Sequence, residues 1–226
     1  MIIPKCALSL IALLPVSAMA AADLDFWDLR VGAGVLSNNF EGASSTTVTN
    51  NTSNISTTTD SSEDGRDAES NYRGQIQLVW GNLGTAGGLI LGGGIAVNNA
   101  RFDNSSQDAE VSIPVVNVLA GYGYAVSKNW HFELTPFAGA GRAYYNVTDY
   151  GSSKDAKNAE KYYEYGAKIG TYVTSDDGLQ LGIDVPYLVG RFNPKYDQRD
   201  DDNSYSVSDS RRNTGFGLLV TLGKRF

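Results

Sequence analysis

Charged side chains in this 226-residue sequence recur at alternate positions within otherwise apolar segments. Asp28 and Arg30 lie two residues apart, and Glu164 and Lys168 lie four apart. In an extended strand such spacing places both side chains on one face. The complete set on these faces is Asp28, Arg30, Arg73, His131, Glu133, Glu164, Lys168, Asp184 and Arg225. Acids and bases are nearly balanced, so we predict a buried network of ion pairs, because unpaired buried charges are costly.

Catalysis by these residues would need a nucleophile, a base and a group that orients the base. His131 is the only histidine in the sequence, and its predicted strand face also carries Glu133. No sequence motif places a nucleophile beside this pair. We therefore predict that His131 belongs to a polar core, that the protein is not an enzyme, and that it uses no cofactor.

An acidic run near the C-terminus could offer oxygen ligands to Ca²⁺. It consists of Asp197, Asp200, Asp201, Asp202 and Asn203. The spacing is not that of an EF-hand loop, so we predict a solvated acidic loop and no metal site. The formal net charge of −7 also argues against nucleic acid as a partner.

Eight segments with a period of two must position the charged residues. They are Phe26–Leu36, Tyr72–Trp80, Gly87–Asn98, Val111–Tyr124, Trp130–Ala140, Tyr163–Val173, Leu179–Val189 and Asn213–Phe226. In each, one face is apolar and the other is small or polar. In Val111–Tyr124 the apolar residues change phase at Pro114–Val115, where we predict a β-bulge.

Eight strands enclose an interior that side chains just fill. A soluble barrel would place its large apolar side chains inside and its charges outside. Here the glycine-rich, charged face suits the narrow interior, and the apolar face suits lipid. We therefore predict an all-β fold, a transmembrane antiparallel up-and-down β-barrel of about eight strands whose interior is plugged by the charge network.

The connections between these segments alternate between short and long, as they do in membrane barrels. The short ones are Gly81–Ala86, Val126–Lys128 and Ser175–Gly178; the long ones are Ser37–Ser70, Asp103–Asp108, Val147–Asn158 and Asn193–Arg212. We predict that the long connections are extracellular loops. The first, about residues 37–70, contains a Ser/Thr/Asn tract (Ser44–Ser62) that we expect to be mobile.

The same arrangement sorts the aromatic residues into two girdles. The periplasmic girdle would contain Trp27, Trp80, Tyr124, Trp130 and Phe226. The outer girdle would contain Tyr72, Tyr163, Tyr165 and Tyr187.

Residues 1–20 read as a secretory signal peptide. Lys5 supplies the positive start, Ala7–Leu14 the apolar core, and Ala18-Met19-Ala20 the cleavage site. Cys6, the only cysteine, would be removed with the peptide. The mature domain, residues 21–226, would then have no thiol chemistry.

The chain resembles the small eight-stranded bacterial outer-membrane barrels of the OmpA-like group. The resemblance rests on the signal peptide, the alternating strands, the girdle aromatics and the terminal Phe226. It implies an integral protein of the cell outer membrane, with a structural or surface-interaction role and an unidentified surface ligand. It also implies that the assembly machinery reads Phe226. The alternative is a small pore or an OmpW-like channel for small or hydrophobic solutes.

Six cations fall at the predicted extracellular ends of the strands. They are Arg101, Arg142, Arg191, Lys195, Arg211 and Arg212. Arginine offers bidentate, charge-assisted hydrogen bonds to phosphate. We predict that these residues form a collar that contacts lipopolysaccharide.

Overall fold

The alternating pattern folds into an all-β structure in the computed structural model. The structure describes residues 24–84, 86–104, 107–149, 155–192, 195–199 and 203–226. The predicted signal peptide, residues 1–20, lies outside these ranges. Among the described residues, no helix is long and apolar enough to cross a membrane.

Ten strands occur in the described part of the chain. They are β1 (Leu24–Asn50), β2 (Ser56–Asp67), β3 (Ser70–Gly84), β4 (Gly87–Asn104), β5 (Gln107–Ser127), β6 (Trp130–Asp149), β7 (Asp155–Thr174), β8 (Leu179–Phe192), β9 (Lys195–Arg199) and β10 (Asn203–Arg225). All strands except β2 and β9 form a closed barrel, because β10 pairs with both β8 and β1. Neighbouring strands are antiparallel, which confirms the predicted eight-stranded up-and-down barrel.

The barrel wall is apolar outside and polar inside. On β10, Phe216 and Leu222 are each 62% exposed, whereas Leu219 and Thr221 are buried. Exposed apolar side chains continue around the barrel, so the outer surface forms a belt that suits lipid hydrocarbon. This is the arrangement of a transmembrane barrel and the reverse of a soluble one.

Short connections join β3 to β4, β5 to β6 and β7 to β8 at one end of the barrel. Gly87 and Gly178 have φ values of +92° and +82° in two of these turns. Side chains rarely adopt that conformation, which explains glycine at both positions. This end of the barrel is called the short-turn end below, and the opposite end is called the rim.

The predicted β-bulge at Pro114–Val115 is wrong. β5 pairs with β4 in one continuous register from Gly88↔Gly123 to Asn104↔Gln107. The apolar residues change phase because they change sides. Val116 faces outward and is 65% exposed, whereas Ile113 and Val115 are buried inside the barrel. The inner face is itself apolar near the rim, so no extra residue is needed. The irregularity in β5 instead lies between Ala125 and Ser127, beside a turn.

Much of the predicted first loop, about residues 37–70, is strand in the structure. β1 continues as far as Asn50 and returns as β2, and the far half of β1 also pairs with β10 as far as Asn203. Because β9 pairs with the other side of β10, the four strands β2, β1, β10 and β9 form one sheet. We call this the rim sheet. It extends past the barrel wall at the rim.

Hydroxyl groups explain why a tract without apolar contrast still forms strands. Thr47 Oγ1 lies 3.0 Å from Thr58 Oγ1, and Thr49 Oγ1 lies 2.8 Å from Ser56 Oγ across the β1–β2 pair. Threonine also favours extended backbone because it is β-branched. At the tip of the hairpin, Asn50 Oδ1 accepts hydrogen bonds from two following backbone N–H groups, which closes the turn.

Candidate functional site

The lumen nearest the short-turn end contains a cluster of four charges. Arg30 donates to Asp28 at 2.8 Å and to both oxygens of Glu133 at 2.6 and 2.8 Å. Arg225 binds Asp28 with two hydrogen bonds of 2.9 and 3.0 Å, and Gln180 donates to the same carboxylate at 2.8 Å. Two arginines therefore neutralise two carboxylates that water does not reach.

His131 lies inside this cluster rather than at the membrane surface. Its Nε2 is 3.0 Å from Glu133 Oε1, and its ring stacks on Tyr172 with 5.2 Å between ring centroids. The Phe26 ring lies 5.3 Å from the imidazole, centroid to centroid, and is tilted relative to it by 49°. The geometry fits the predicted polar-core residue.

A second cluster occupies the middle of the lumen. Lys168 Nζ lies 3.4 Å from Asp184 and donates to Gln77 at 3.0 Å and to Tyr172 at 3.1 Å. Tyr172 and Thr221 both donate to Asp184, the latter at 2.8 Å. The Arg30 guanidinium lies 3.9 Å from the centroid of the Tyr172 ring, so this tyrosine joins the first two clusters.

A third cluster lies nearer the rim. Arg73 forms a bidentate pair with Glu164 at 2.8 and 3.2 Å. Asn98 accepts from the same guanidinium at 2.9 Å, and Tyr162 donates to Glu164 at 3.3 Å. The structure thus brings all nine predicted residues into the lumen, and each basic side chain lies beside at least one carboxylate.

Glycine on the inner face makes room for the two lumen tyrosines. A Cβ at Gly182 would lie 2.3 Å from Tyr172 Cδ1, and one at Gly190 would lie 2.0 Å from Tyr162 Oη. Neither ring can move freely, because each also contributes to a charge cluster. Gly182 and Gly190 are therefore required to be small, because the neighbouring tyrosine rings occupy the space that a larger side chain would need.

Apolar clusters lie at both ends of the polar network. The one near the rim contains Phe40, Ala100, Val111, Ile113, Val115, Ala143, Tyr162 and Phe192. The one near the short turns contains Phe26, Val79, Leu83, Ile90 and Leu119. Between them, a cavity of about 10 Å³ is lined by residues that include Arg73, Asn117 and Lys168. That volume is about one water molecule.

The outer surface carries the predicted aromatic girdles. Trp27 and Trp80 are directly opposite each other at the short-turn end, and Trp80 Nε1 donates to Asp25 at 2.9 Å. Phe226 lies at the same end; its N–H donates to Trp27 O at 2.9 Å, and its ring is 74% exposed. The four tyrosines predicted for the outer girdle, Tyr72, Tyr163, Tyr165 and Tyr187, are exposed toward the rim, and Tyr144 is exposed there as well.

The predicted collar of cations does not form one ring. Arg142, Arg191 and Arg212 are exposed on the outer face of the wall, on β6, β8 and β10. Arg101 is apart from them on β4, directly opposite Glu110. Arg211 lies on the opposite face from Arg212, because adjacent residues of a strand alternate sides. The side chain of Lys195 lies outside the described residues.

Lys161 is a cation of this surface that sequence reasoning missed. It is exposed on β7 and directly opposite Arg142. The sequence does indicate its position, because Lys161, Tyr163 and Tyr165 are alternate residues and therefore lie on the same, outward face of β7. The predicted strand began two residues too late to include it.

Within the described residues, no group of three or more His, Cys, Asp or Glu side chains could hold a metal ion. Of the acidic run considered for Ca²⁺, Asp200, Asp201 and Asp202 lie outside the described ranges.

Comparison with solved structures finds small membrane barrels. The chain is similar to Ail, the attachment invasion locus protein of Yersinia pestis, whose structure was solved in complex with the heparin analogue sucrose octasulfate. The two sequences are 15% identical, and the TM-score is 0.36. The match covers 85% of this chain and 98% of Ail. It is similar to outer membrane protein OprG from Pseudomonas aeruginosa, with 11% identity and a TM-score of 0.38. The match covers 87% of this chain and 96% of OprG. It is also similar to Neisserial surface protein A, with 14% identity, coverage of 89% and 99%, and a TM-score of 0.29.

The architecture is that of a small outer-membrane barrel. Its closed strand pairing and its exposed apolar belt are the features that define such a barrel. No protein-family model matches the sequence, and no curated protein sequence matches it.

Proposed function

We propose that the protein is an integral outer-membrane barrel with a structural and surface-interaction role, and that its lumen does not conduct. The observation that carries the proposal is the filling of the lumen. Three charge clusters lie between two apolar clusters, and the cavity between them has room for about one water molecule.

The rim sheet supports the surface-interaction part of the proposal. It extends the barrel beyond the membrane belt and presents hydroxyl groups, such as those of Thr47 and Thr58, at its surface. A barrel that anchors such a sheet supplies a stable base for contacts outside the membrane, including a surface ligand.

The alternative is a channel for small or hydrophobic solutes. It would require a continuous passage, whereas Arg30, Tyr172 and Lys168 lie in contact across the lumen. Opening a passage would break buried ion pairs, and a charge that loses its partner while it stays buried costs about 3–5 kcal/mol.

Planar-bilayer recording of the purified, refolded protein tests the proposal. We expect the wild type to insert without discrete conductance steps. The double variant Arg73→Ala/Glu164→Ala, which removes the charge cluster nearest the rim, is the matched comparison for a loosened lumen. If the wild type shows reproducible conductance steps as large as those of the double variant or larger, the closed-lumen proposal is overturned and the channel is favoured.

A further inference from the structure

The cations on the outer face of the rim are concentrated on four neighbouring barrel strands. Arg142 on β6 is directly opposite Lys161 on β7, and Arg191 on β8 is directly opposite Arg212 on β10. Tyr163, two residues from Lys161, is directly opposite Arg191 and links the two pairs. All four cationic side chains are exposed and point away from the lumen. We call this set the rim cation patch.

Two directly opposite pairs of like charge are unfavourable in an antiparallel sheet, because the side chains are about 5 Å apart at their Cβ atoms. Within the described part of the chain, no ion pair joins any of the four to a carboxylate. Glu41, an exposed acid of the outer face, is opposite Arg212 on β1 and flanks the patch on one side. The arrangement is therefore suited to an external anion.

The remainder of the outer rim is different. Arg101 is opposite Glu110, and the outward residues between β1 and β5 include Ser37, Asn39 and Ser70. That sector is mixed or neutral in charge. Among the described side chains, the excess of positive charge on the outer rim is concentrated on one side of the barrel, so a diffuse attraction to a uniformly anionic surface does not account for it.

The height of the patch identifies the kind of anion. On the same strands, four residues closer to the apolar belt, lie Tyr165, Tyr187 and Phe216, and the rings of Tyr187 and Phe216 are 4.8 Å apart at their centroids. Exposed aromatic residues of this kind mark the boundary between headgroups and hydrocarbon. A ligand that fits this position has an anionic group just above the aromatic residues and an apolar group beside the belt. A lipid with a phosphate headgroup has both.

We propose that the rim cation patch binds the phosphate groups of an outer-leaflet phosphoglycolipid, whose acyl chains lie against the aromatic and aliphatic surface below. Arg142, Arg191 and Arg212 supply bidentate donors, and Lys161 supplies a point charge between them. This inference rests on the proposed membrane role. It places the binding site for the anionic ligand on one side of the barrel, the side formed by β6, β7, β8 and β10.

The test is native mass spectrometry of protein refolded with a bisphosphorylated lipid A, with the same glycolipid lacking its phosphates, or with inorganic phosphate. The patch variant is Arg142→Gln/Lys161→Gln/Arg191→Gln. The matched control, Arg101→Gln/Lys128→Gln/Lys224→Gln, removes three cations elsewhere. We expect the patch variant to lose bisphosphorylated glycolipid by about tenfold or more, and the control to retain it as the wild type does.

Equal retention by the patch variant and the control would overturn the proposal. It would also fall if the phosphate-free glycolipid were retained as well as the phosphorylated one, or if inorganic phosphate were held as tightly as the glycolipid. Heat-modifiable migration of every variant reports barrel assembly separately, so a failure here leaves the proposed function standing. If the triple variant does not assemble, Lys161→Gln alone gives the same comparison, with a smaller expected loss.

Discussion

At the scale of single residues, some carboxylates of the lumen each contact two basic side chains instead of forming isolated ion pairs. Asp28 serves two arginines, and Glu133 serves both Arg30 and His131. A buried pair of charges gives little net stability, because desolvation offsets the attraction. The loss of one partner is a different matter, because it leaves the other charge buried without compensation.

We predict that Glu133→Gln lowers the free energy of unfolding by about 3–5 kcal/mol. Arg30 would retain only Asp28, which Arg225 also uses. The measurement is urea unfolding in lipid vesicles followed by tryptophan fluorescence. Glu110→Gln, at an exposed site on β5, is the matched control and should change stability little. Superimposable unfolding curves for the two variants would refute the buried network.

At the scale of elements, β1 and β10 each combine two kinds of strand. From Asp28 to Val35, β1 alternates lipid-facing and lumen residues and pairs with both β10 and β3. Beyond Asn39 it belongs to the rim sheet and pairs with β2 instead of β3. Barrel closure therefore does not depend on the hairpin of β1 and β2.

We predict that this hairpin can be shortened without loss of the barrel. Joining Ser44 to Ser61 through Asn-Gly replaces residues 45–60 with a two-residue turn between directly paired positions. Heat-modifiable migration on gels should match that of the wild type.

The control for this experiment is a deletion inside the barrel. Removing the paired residues Leu78 and Gly93 shifts the remainder of each strand by one position, which exchanges its lipid-facing and lumen faces. That variant should not assemble. If the shortened hairpin also fails to assemble, the rim sheet is part of the barrel's folding unit and the division of β1 is wrong.

Sequence reasoning predicted the elements in which the two faces differ in polarity. In β8, Leu179, Leu181 and Ile183 alternate with Gln180 and Gly182, and the predicted strand matches the observed one within three residues. The rim sheet was missed because serine and threonine occupy both of its faces, so the sequence contains no period of two in hydropathy.

The interior of β5 was mispredicted for a related reason. Val111, Ile113 and Val115 are as apolar as the lipid-facing residues, and sequence alone does not show that the lumen becomes apolar near the rim. Only their contacts with Phe40 and Phe192, from distant strands, reveal the change.

At the scale of the whole molecule, the barrel reverses the usual distribution of polarity. Its exposed surface includes Val118 and Leu218, whereas Arg30 and Asp184 are almost completely buried. Such a surface is stable in lipid because the closed ring of strands satisfies the backbone hydrogen bonds of the wall. The central claim about this barrel is therefore that its outer face contacts hydrocarbon while its inner face is sealed.

A spin-label scan along β10 tests that claim most directly. Single cysteines at Leu218, Val220 and Leu222, and at the intervening Leu219 and Thr221, are labelled in protein that begins at residue 21, and therefore lacks Cys6, after reconstitution into vesicles. Oxygen, which concentrates in lipid, should relax the labels at the first three positions strongly, and a water-soluble nickel complex should not. The two intervening positions should be shielded from both reagents. A nickel complex that reaches Leu218, Val220 and Leu222, or an accessibility profile without a period of two, would contradict the account.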